Sequence, residues 1–397
     1  MKKIYIPSNL DLPQLLDQEH RNETDIDRLH YIINLIYEQR ALYKNDEEFV
    51  QLKAIYMRRL IGRAGKTYND YINILANKGI IECDRRYIVN EKSFGYKLCN
   101  EYSDVRHKQV PITSASLQSN IERWQDCRKP MGSLKEKMHK FTKVHKHIYH
   151  FIENIEIDYK AALQSIEGLS TEEYNKNKIT IDKIKDKEFY LHRDEFGRIH
   201  TNLTILKSTL RRFLSYKGKK FVNIDVVNSQ PLLLLLTIKS IYLTIRCTGA
   251  IYFEDVPPDV LCYKRLVERG ELYEYLMKRA QTANRDNFKE NFFRDTFFGK
   301  KTSNLFCELF PTIGKEIRRI KRKDYRRLAW MMQRKESKLI ITKICGRIMR
   351  EHPEVFIGTI HDSVLTTPEN VSTIRQIMSE EFEKIGLSPT IRVDRYE

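Results

Sequence analysis

The chain has 397 residues, 41% of them hydrophobic and 11% aromatic, with 70 Lys and Arg against 53 Asp and Glu for a formal charge of +17. That much apolar material excludes a wholly disordered chain and suffices for roughly two or three domains with a sizeable core. The charge points to a polyanionic partner, nucleic acid ahead of an anionic membrane surface, with plain solubility as the alternative. Seven scattered Cys form neither a close pair nor a Cys/His cluster at ligand spacing, which argues against a disulfide framework and structural zinc and for a reducing, intracellular setting.

The opening Met1-Lys-Lys-Ile-Tyr-Ile-Pro7 runs into polar sequence and lacks the apolar stretch of a signal peptide. A cytoplasmic location is expected, in a bacterium or in the host cell of a phage. Residues 1–48 read as an extension with an extended start and a helical pattern over Asp25–Tyr43. In residues 49–100 the pattern predicts a helix over Phe49–Ile61, a turn over Gly62–Gly65, and a second helix over Thr67–Lys78. Thr67 serves that second helix as N-cap, Tyr68, Tyr71, Ile72 and Leu75 share a face, and Gly79 ends it. Short strands follow at Ile80–Glu82, Tyr87–Val89 and Gly95–Leu98. This order is similar to a winged helix, a module that places its second helix in a DNA major groove or docks another protein. Arg58, Arg59, Arg63, Lys66, Lys78, Arg85, Arg86 and Lys92 are the cations for a DNA contact, with Arg85 and Arg86 on phosphate.

Residues 101–134 are polar, hold Pro111 and Pro130, and have no sustained period, as a connector would. From Lys135 a helical pattern sets Phe141, Val144, Ile148, Phe151, Ile152 and Ile155 on one stripe, so that 135–185 reads as a helical region. His139, His145, His147 and His150 lie among its lysines with no carboxylate or Cys at ligand spacing, as on a solvated or phosphate-facing helix. Farther on, Leu232–Ile245 contains five consecutive leucines but is interrupted by Lys239 and falls short of the roughly 20 residues a bilayer needs, so a buried helix is expected and no membrane partner.

The chemistry lies in residues 186–397. Phe221–Val227 reads as a buried strand bearing Asp225, and Val355–Ile360 and Ser363–Thr366 read as strands flanking His361-Asp362. Carboxylates on apolar strands are costly unless paired or bound to metal, and two brought together can hold a pair of Mg2+ ions. Between them, Arg285 and Lys289 stand one helical turn apart with Phe293 continuing the face, ahead of Phe297-Phe298-Gly299. Two cations and a ring suit a nucleoside triphosphate; an amphipathic helix with solvated cations is the alternative.

These elements resemble the family A DNA polymerases and the related single-subunit RNA polymerases of phages and mitochondria. Asp225 matches the carboxylate of their first palm motif, and His361-Asp362-Ser363 the last. Arg285, Lys289 and Phe293 match the motif of the fingers helix, with Phe298-Gly299 one residue later than its usual aromatic-glycine ending. Gly197-Arg-Ile-His-Thr-Asn202, Phe310-Pro311 and Met332-Gln333 match further landmarks. The fold this implies is α+β, a right-hand polymerase palm and fingers over 186–397 with a reduced helical thumb over 135–185, preceded by the winged-helix-like domain.

The implied activity is template-directed DNA synthesis from dNTPs on a primer, in replication or repair of a plasmid or phage genome. Asp225, Asp362 and the Val226 carbonyl would hold two Mg2+ ions, with Mn2+ as a substitute. Arg285 and Lys289 would grip the triphosphate, Lys289 at the leaving phosphate, and Phe293 would stack near the new base. Arg198, Gln333 and His361 would contact primer-template DNA. Gln230 stands where the DNA polymerases carry a Glu that blocks the 2'-hydroxyl; an amide there either crowds the ribose or accepts a hydrogen bond from it, so RNA or primer synthesis is the second reading. A non-catalytic DNA-binding replication initiator is the third. Residues 1–185 hold none of the acidic triads of a proofreading exonuclease, and the N-terminal module is the expected site for replication proteins.

Overall fold

The structure, a computed structural model, describes residues 2–42, 48–62, 65–88, 91–124, 141–242, 244–245, 251–252 and 256–396. Arg63, Val89, Lys135 and His139 lie outside them. The chain forms a mixed arrangement of helices and small antiparallel sheets in two compact units. Among the described residues no helix is long and apolar enough to cross a membrane.

The first unit comprises Met1–Thr142 and Tyr159–Lys183. Its axis is the helix Glu23–Leu42, which buries Leu29, Ile32, Ile33 and Ile36. The strand Lys3–Pro7 lies against this helix and pairs antiparallel with His107–Pro111, from Lys3↔Pro111 to Pro7↔His107. The polar stretch expected as a connector thus supplies a strand, and then the helix Ala115–Trp124 with Leu117 and Ile121 fully buried. So few of its residues face the core that no period shows in the sequence.

Within 49–100 the strands Val50–Gln51, Ile81–Cys83 and Gly95–Leu98 form one antiparallel sheet with Gly95–Leu98 in the middle. The helix expected from Phe49 starts only at Ala54, because Val50 and Gln51 pair with Tyr96 and Gly95. The second helix, Tyr68–Asn77, begins where the N–H and hydroxyl of Thr67 both donate to the Asp70 carboxylate, at 2.6 and 2.9 Å. Gly79 ends it in the left-handed region, at φ 67°. The core of this segment is continuous with that of residues 4–37 and 112–121.

Charge is buried in this core as well. Asp25 is fully enclosed and accepts hydrogen bonds from Lys66 Nζ and the Tyr71 hydroxyl, each at 2.6 Å. Lys66 is therefore a counter-ion of the fold. Lys78 likewise pairs with Asp17 at 2.9 Å, whereas Arg58, Arg59, Arg85 and Arg86 are exposed. Removing one partner of a buried pair strands the other's charge, so Lys66→Met is expected to destabilise the protein by about 3 kcal/mol, read from urea unfolding.

The second unit comprises Lys143–Asp158 and Ile184–Glu397, so the segment 135–185 is divided between the two units. Its helix Lys143–Ile152 buries Val144, Ile148, Phe151 and Ile152. His145, expected on a solvated face, is buried with them, and burial pushes its imidazole down to about 4, so it is neutral. Phe151, Tyr216, Phe221 and Phe356 form a ring cluster with centroids 4.7–5.8 Å apart. This cluster lies at the entry to a four-stranded antiparallel sheet in the order Gly358–Ile360, Ser363–Thr366, Val222–Val226, Ile391–Arg395. Val222, Ile224 and Val226 are buried on one face, where the helix Val371–Glu383 packs with Ile374, Ile377, Met378 and Phe382; Asn223 and Asp225 alternate onto the other. The leucine run forms the helix Ser229–Tyr242, with Leu232–Leu235 buried.

Candidate active site

Register brings the two distant carboxylates together. The hairpin Gly358–Thr366 closes through the two-residue turn His361-Asp362, with Ile360↔Ser363 as its last pair. His361 takes a left-handed conformation, φ 56°, to make the turn. On the neighbouring strand, Val222↔Thr366, Asn223↔Leu365 and Ile224↔Val364 are paired. Asp225 follows the last of these pairs on one strand, and on the other Ser363 and then Asp362 lie next to it. Val226, the last residue of its strand, follows directly.

The electrostatics agree with the register. Burial, reinforced by the charges of Asp362 and Asp394, pushes the Asp225 carboxyl up to about 6, against the opposing charge of Arg392. Arg392 is the direct cross-strand neighbour of Asp225 and reaches its Oδ2 with Nη2 at 3.3 Å, while its Nε bonds Asp394 at 3.0 Å. Neither Arg392 nor Asp394 is singled out in the sequence. Their only signal there is the alternation of Ile391-Arg-Val-Asp-Arg395, that of a strand with one charged face.

A second group converges on Glu336, in the helix Arg327–Ser337. Glu336 is buried and accepts Arg198 in a fork, Nε to Oε1 at 3.0 Å and Nη2 to Oε2 at 2.6 Å, together with Gln230 Nε2 at 2.8 Å. Burial raises its pKa, the Arg198 guanidinium opposes this, and the charge of Asp362 adds to it, so the cluster lies within electrostatic reach of the carboxylates. Arg198 is held in place by its hairpin: Asp194 Oδ1 accepts the backbone N–H groups of Phe196 and Arg198, both at 2.9 Å, and Gly197 turns at φ 89°, where a Cβ would stand 3.3 Å from that of Ser337. Gln333 lies one turn before Glu336, its buried Oε1 without a hydrogen bond among the described residues. Burial lowers the pKa of His361, as do the charges of Arg198, His200 and Arg211, while Asp362 opposes them.

The third group is the cationic helix Arg285–Phe292. Arg285 and Lys289 lie over the ring of Tyr273, at 5.9 and 5.7 Å, and Lys289 also lies 5.8 Å from the centre of Phe293. Arg285 Nε bonds Glu274 at 2.9 Å. Tyr273, which carries no motif signal, is buried, and its hydroxyl has no hydrogen-bond partner among the described residues. Burial pushes its phenol far up, with the Arg285 charge opposing and the Asp362 charge adding. Tyr273 is thus the ring over which both cations lie and on which the charge of Asp362 also acts.

Beyond Phe292 the helix widens into a π-helical turn, Phe293–Phe298. A π turn takes up one extra residue without ending a helix. It turns Phe297 fully inward and leaves Phe298 at the surface. Lys321 closes the turn by donating to the carbonyls of Thr296, Gly299 and Lys301 at 2.8, 2.8 and 2.9 Å. Burial pushes its ammonium down to about 8, which leaves it protonated at neutral pH.

Two carboxylates and a strand-end carbonyl are hard oxygen donors and fit Mg2+, which is commonly held by one or two carboxylates with substrate phosphates and water completing the shell. Among the described residues no group of three or more His, Cys, Asp and Glu forms a metal site. A comparison with protein-family models gives no match, and neither does a comparison with curated proteins.

The raised Asp225 pKa has a signed consequence in metal-free protein. Between 3.8 and about 6 the native state binds more protons than the unfolded state, so the stability from this group is full below about pH 4 and is lost as the pH rises to about 6. At pH 7 in EDTA, Asp225→Asn is therefore expected to be more stable than the parent by roughly 1–3 kcal/mol. The gain should disappear near pH 4, as measured by urea unfolding at the two pH values.

Proposed function

We propose that the chain is a template-directed nucleotidyltransferase, a DNA polymerase that extends a primer 3'-hydroxyl with dNTPs. The observation that carries this reading is the strand register that sets Asp225 beside the turn bearing Asp362, with Arg285 and Lys289 over the Tyr273 ring, on which the Asp362 charge also acts. The right-hand description, palm on the four-stranded sheet and fingers on the cationic helix, belongs to the same proposal. In the first unit, the order of strand, two helices and hairpin, with the last strand central, supports a winged-helix-like module.

Asp225, Asp362 and the Val226 carbonyl would hold two Mg2+ ions, or Mn2+ in their place. Bound there, the ions supply acidification of the primer hydroxyl and neutralisation of the triphosphate and departing pyrophosphate. Arg392, bonded to both Asp225 and Asp394, would leave Asp225 free for the ions while its bond to Asp394 holds it in place. Arg285 clamps phosphate oxygens as a planar fork, and Lys289 supplies positive charge, or a proton, to the leaving phosphate. Phe293, on the next turn, offers its ring to the incoming base. Glu336 orients Arg198 toward the primer terminus, where His361 and Gln333 flank the paired end, and holds Gln230 for the ribose of the incoming nucleotide.

RNA or primer synthesis is favoured by one observation. Gln230 gives its amide N–H to Glu336, and its buried Oε1 has no partner among the described residues, an acceptor suited to a ribose hydroxyl.

Extension assays with dNTPs or NTPs, with and without a primer, separate these readings. Asp225→Ala and Asp362→Ala are expected to abolish nucleotide addition and to leave primer-template binding broadly intact; synthesis by both variants would refute the assignment. Lys289→Ala is expected to lower turnover by about a hundredfold or more, because its charge acts as the pyrophosphate leaves.

A further inference from the structure

The hairpin that presents Arg198 also presents Phe196, and there a run of alternating rings and cations begins on the second unit. The Arg334 guanidinium lies 5.8 Å from the centre of the Phe196 ring. Phe196 stacks on Trp330, with centroids 6.1 Å apart and planes at 20°. Arg326 lies over Trp330 at 5.3 Å and over Tyr325 at 6.0 Å, and Lys300 over Tyr325 at 5.9 Å. Arg326, Trp330 and Arg334 follow at four-residue intervals, one face of the helix Arg327–Ser337 and its N-cap. All three rings are partly exposed and all three cations exposed. Asp324 is the carboxylate within the run, accepting Nε and Nη2 of Arg326 at 3.1 Å each.

A core has no need of half-exposed rings with a cation at each end. An acidic peptide or anionic surface would use the charges and leave the ring faces idle, and a duplex, whose bases stack on one another, would also offer only phosphates. An unpaired strand uses both, bases on rings and phosphates on cations. We infer that this run is a binding track for single-stranded nucleic acid, seated by stacking on Trp330 and Phe196 and by phosphate contacts from Arg326, Arg334 and Lys300. Transfer of Arg326 to a phosphate uncovers the Trp330 face for a base. Only the naming of that strand as the unpaired template rests on the nucleotidyl-transfer reading.

The test uses the full chain in EDTA, without nucleotide, and reads fluorescence anisotropy of a labelled oligothymidylate of about 12 nucleotides against a blunt duplex of similar length. Trp330→Ala is expected to weaken single-strand binding at least about fivefold, with duplex binding changed less than about twofold. The oligonucleotide should quench a tryptophan emission component that Trp330→Phe lacks. Arg326→Gln with Arg334→Gln should reduce the salt slope for the single strand by about 0.7 per residue. A Trp330→Ala protein that melts like the parent and keeps its single-strand affinity, or loses single-strand and duplex binding equally, overturns the track. If that variant does not fold, an unchanged salt slope in the arginine pair overturns it. A chain that binds the strand through Trp330 and adds no nucleotide refutes the polymerase reading alone.

Discussion

Two carboxylates at one end of an antiparallel sheet repel each other, and each loses part of its hydration to the protein around it. The second unit is arranged about that repulsion. Asp225 is pushed to about 6 by burial and by Asp362, yet stays ionised at neutral pH, so the sheet end carries negative charge that its own neighbours only partly offset. Arg392 contributes a single contact at 3.3 Å while also serving Asp394. The other nearby cations are engaged elsewhere: Arg198 on Glu336, Arg285 on Glu274 and over Tyr273. In the proposed reaction, a divalent cation with its polyphosphate would neutralise that excess charge.

Apolar packing holds the cations within reach. Tyr273, Phe292, Phe293, Phe297 and Phe306 touch ring to ring at 5.3–6.4 Å, and the π turn fits one additional residue into a helix that must still place Phe297 in this cluster. Lys321 satisfies three carbonyls at the end of the turn that would otherwise be left without donors. On the far side, Glu336 gathers Arg198 and Gln230, so residues separated widely along the chain share one buried anion.

The first unit puts its charges to a different use. Asp25 is enclosed with Lys66 and Tyr71, and Asp27 accepts the N–H groups of Thr113 and Ser114 at 2.7 and 2.6 Å, tying the long helix to the loop before Ala115. Net charge therefore overstates the cations left for a polyanion. Arg85 and Arg86, beside the hairpin turn, remain exposed.

The sequence by itself determined the strand and turn that carry Asp225 and Asp362, the helix bearing Arg285 and Lys289, the leucine helix, and the start of Tyr68–Asn77. Each of these is written in local periodicity or in a cap, and local signals survive without tertiary context. It did not reveal the strand Val50–Gln51 or the packing of residues 101–124, where so few side chains face the core that the pairing partner alone fixes the conformation. Nor did it reveal Glu336, whose only trace is a lone acid in the basic stretch Arg326–Lys338, or Tyr273, Arg392 and Asp394, which matter for what lies across from them. Tertiary structure decided that two carboxylates far apart along the chain meet, which cations remain in the open, and which way Phe297 and Phe298 turn. Those outcomes depend on strand register and on desolvation, and both arise only when distant segments exclude water from each other.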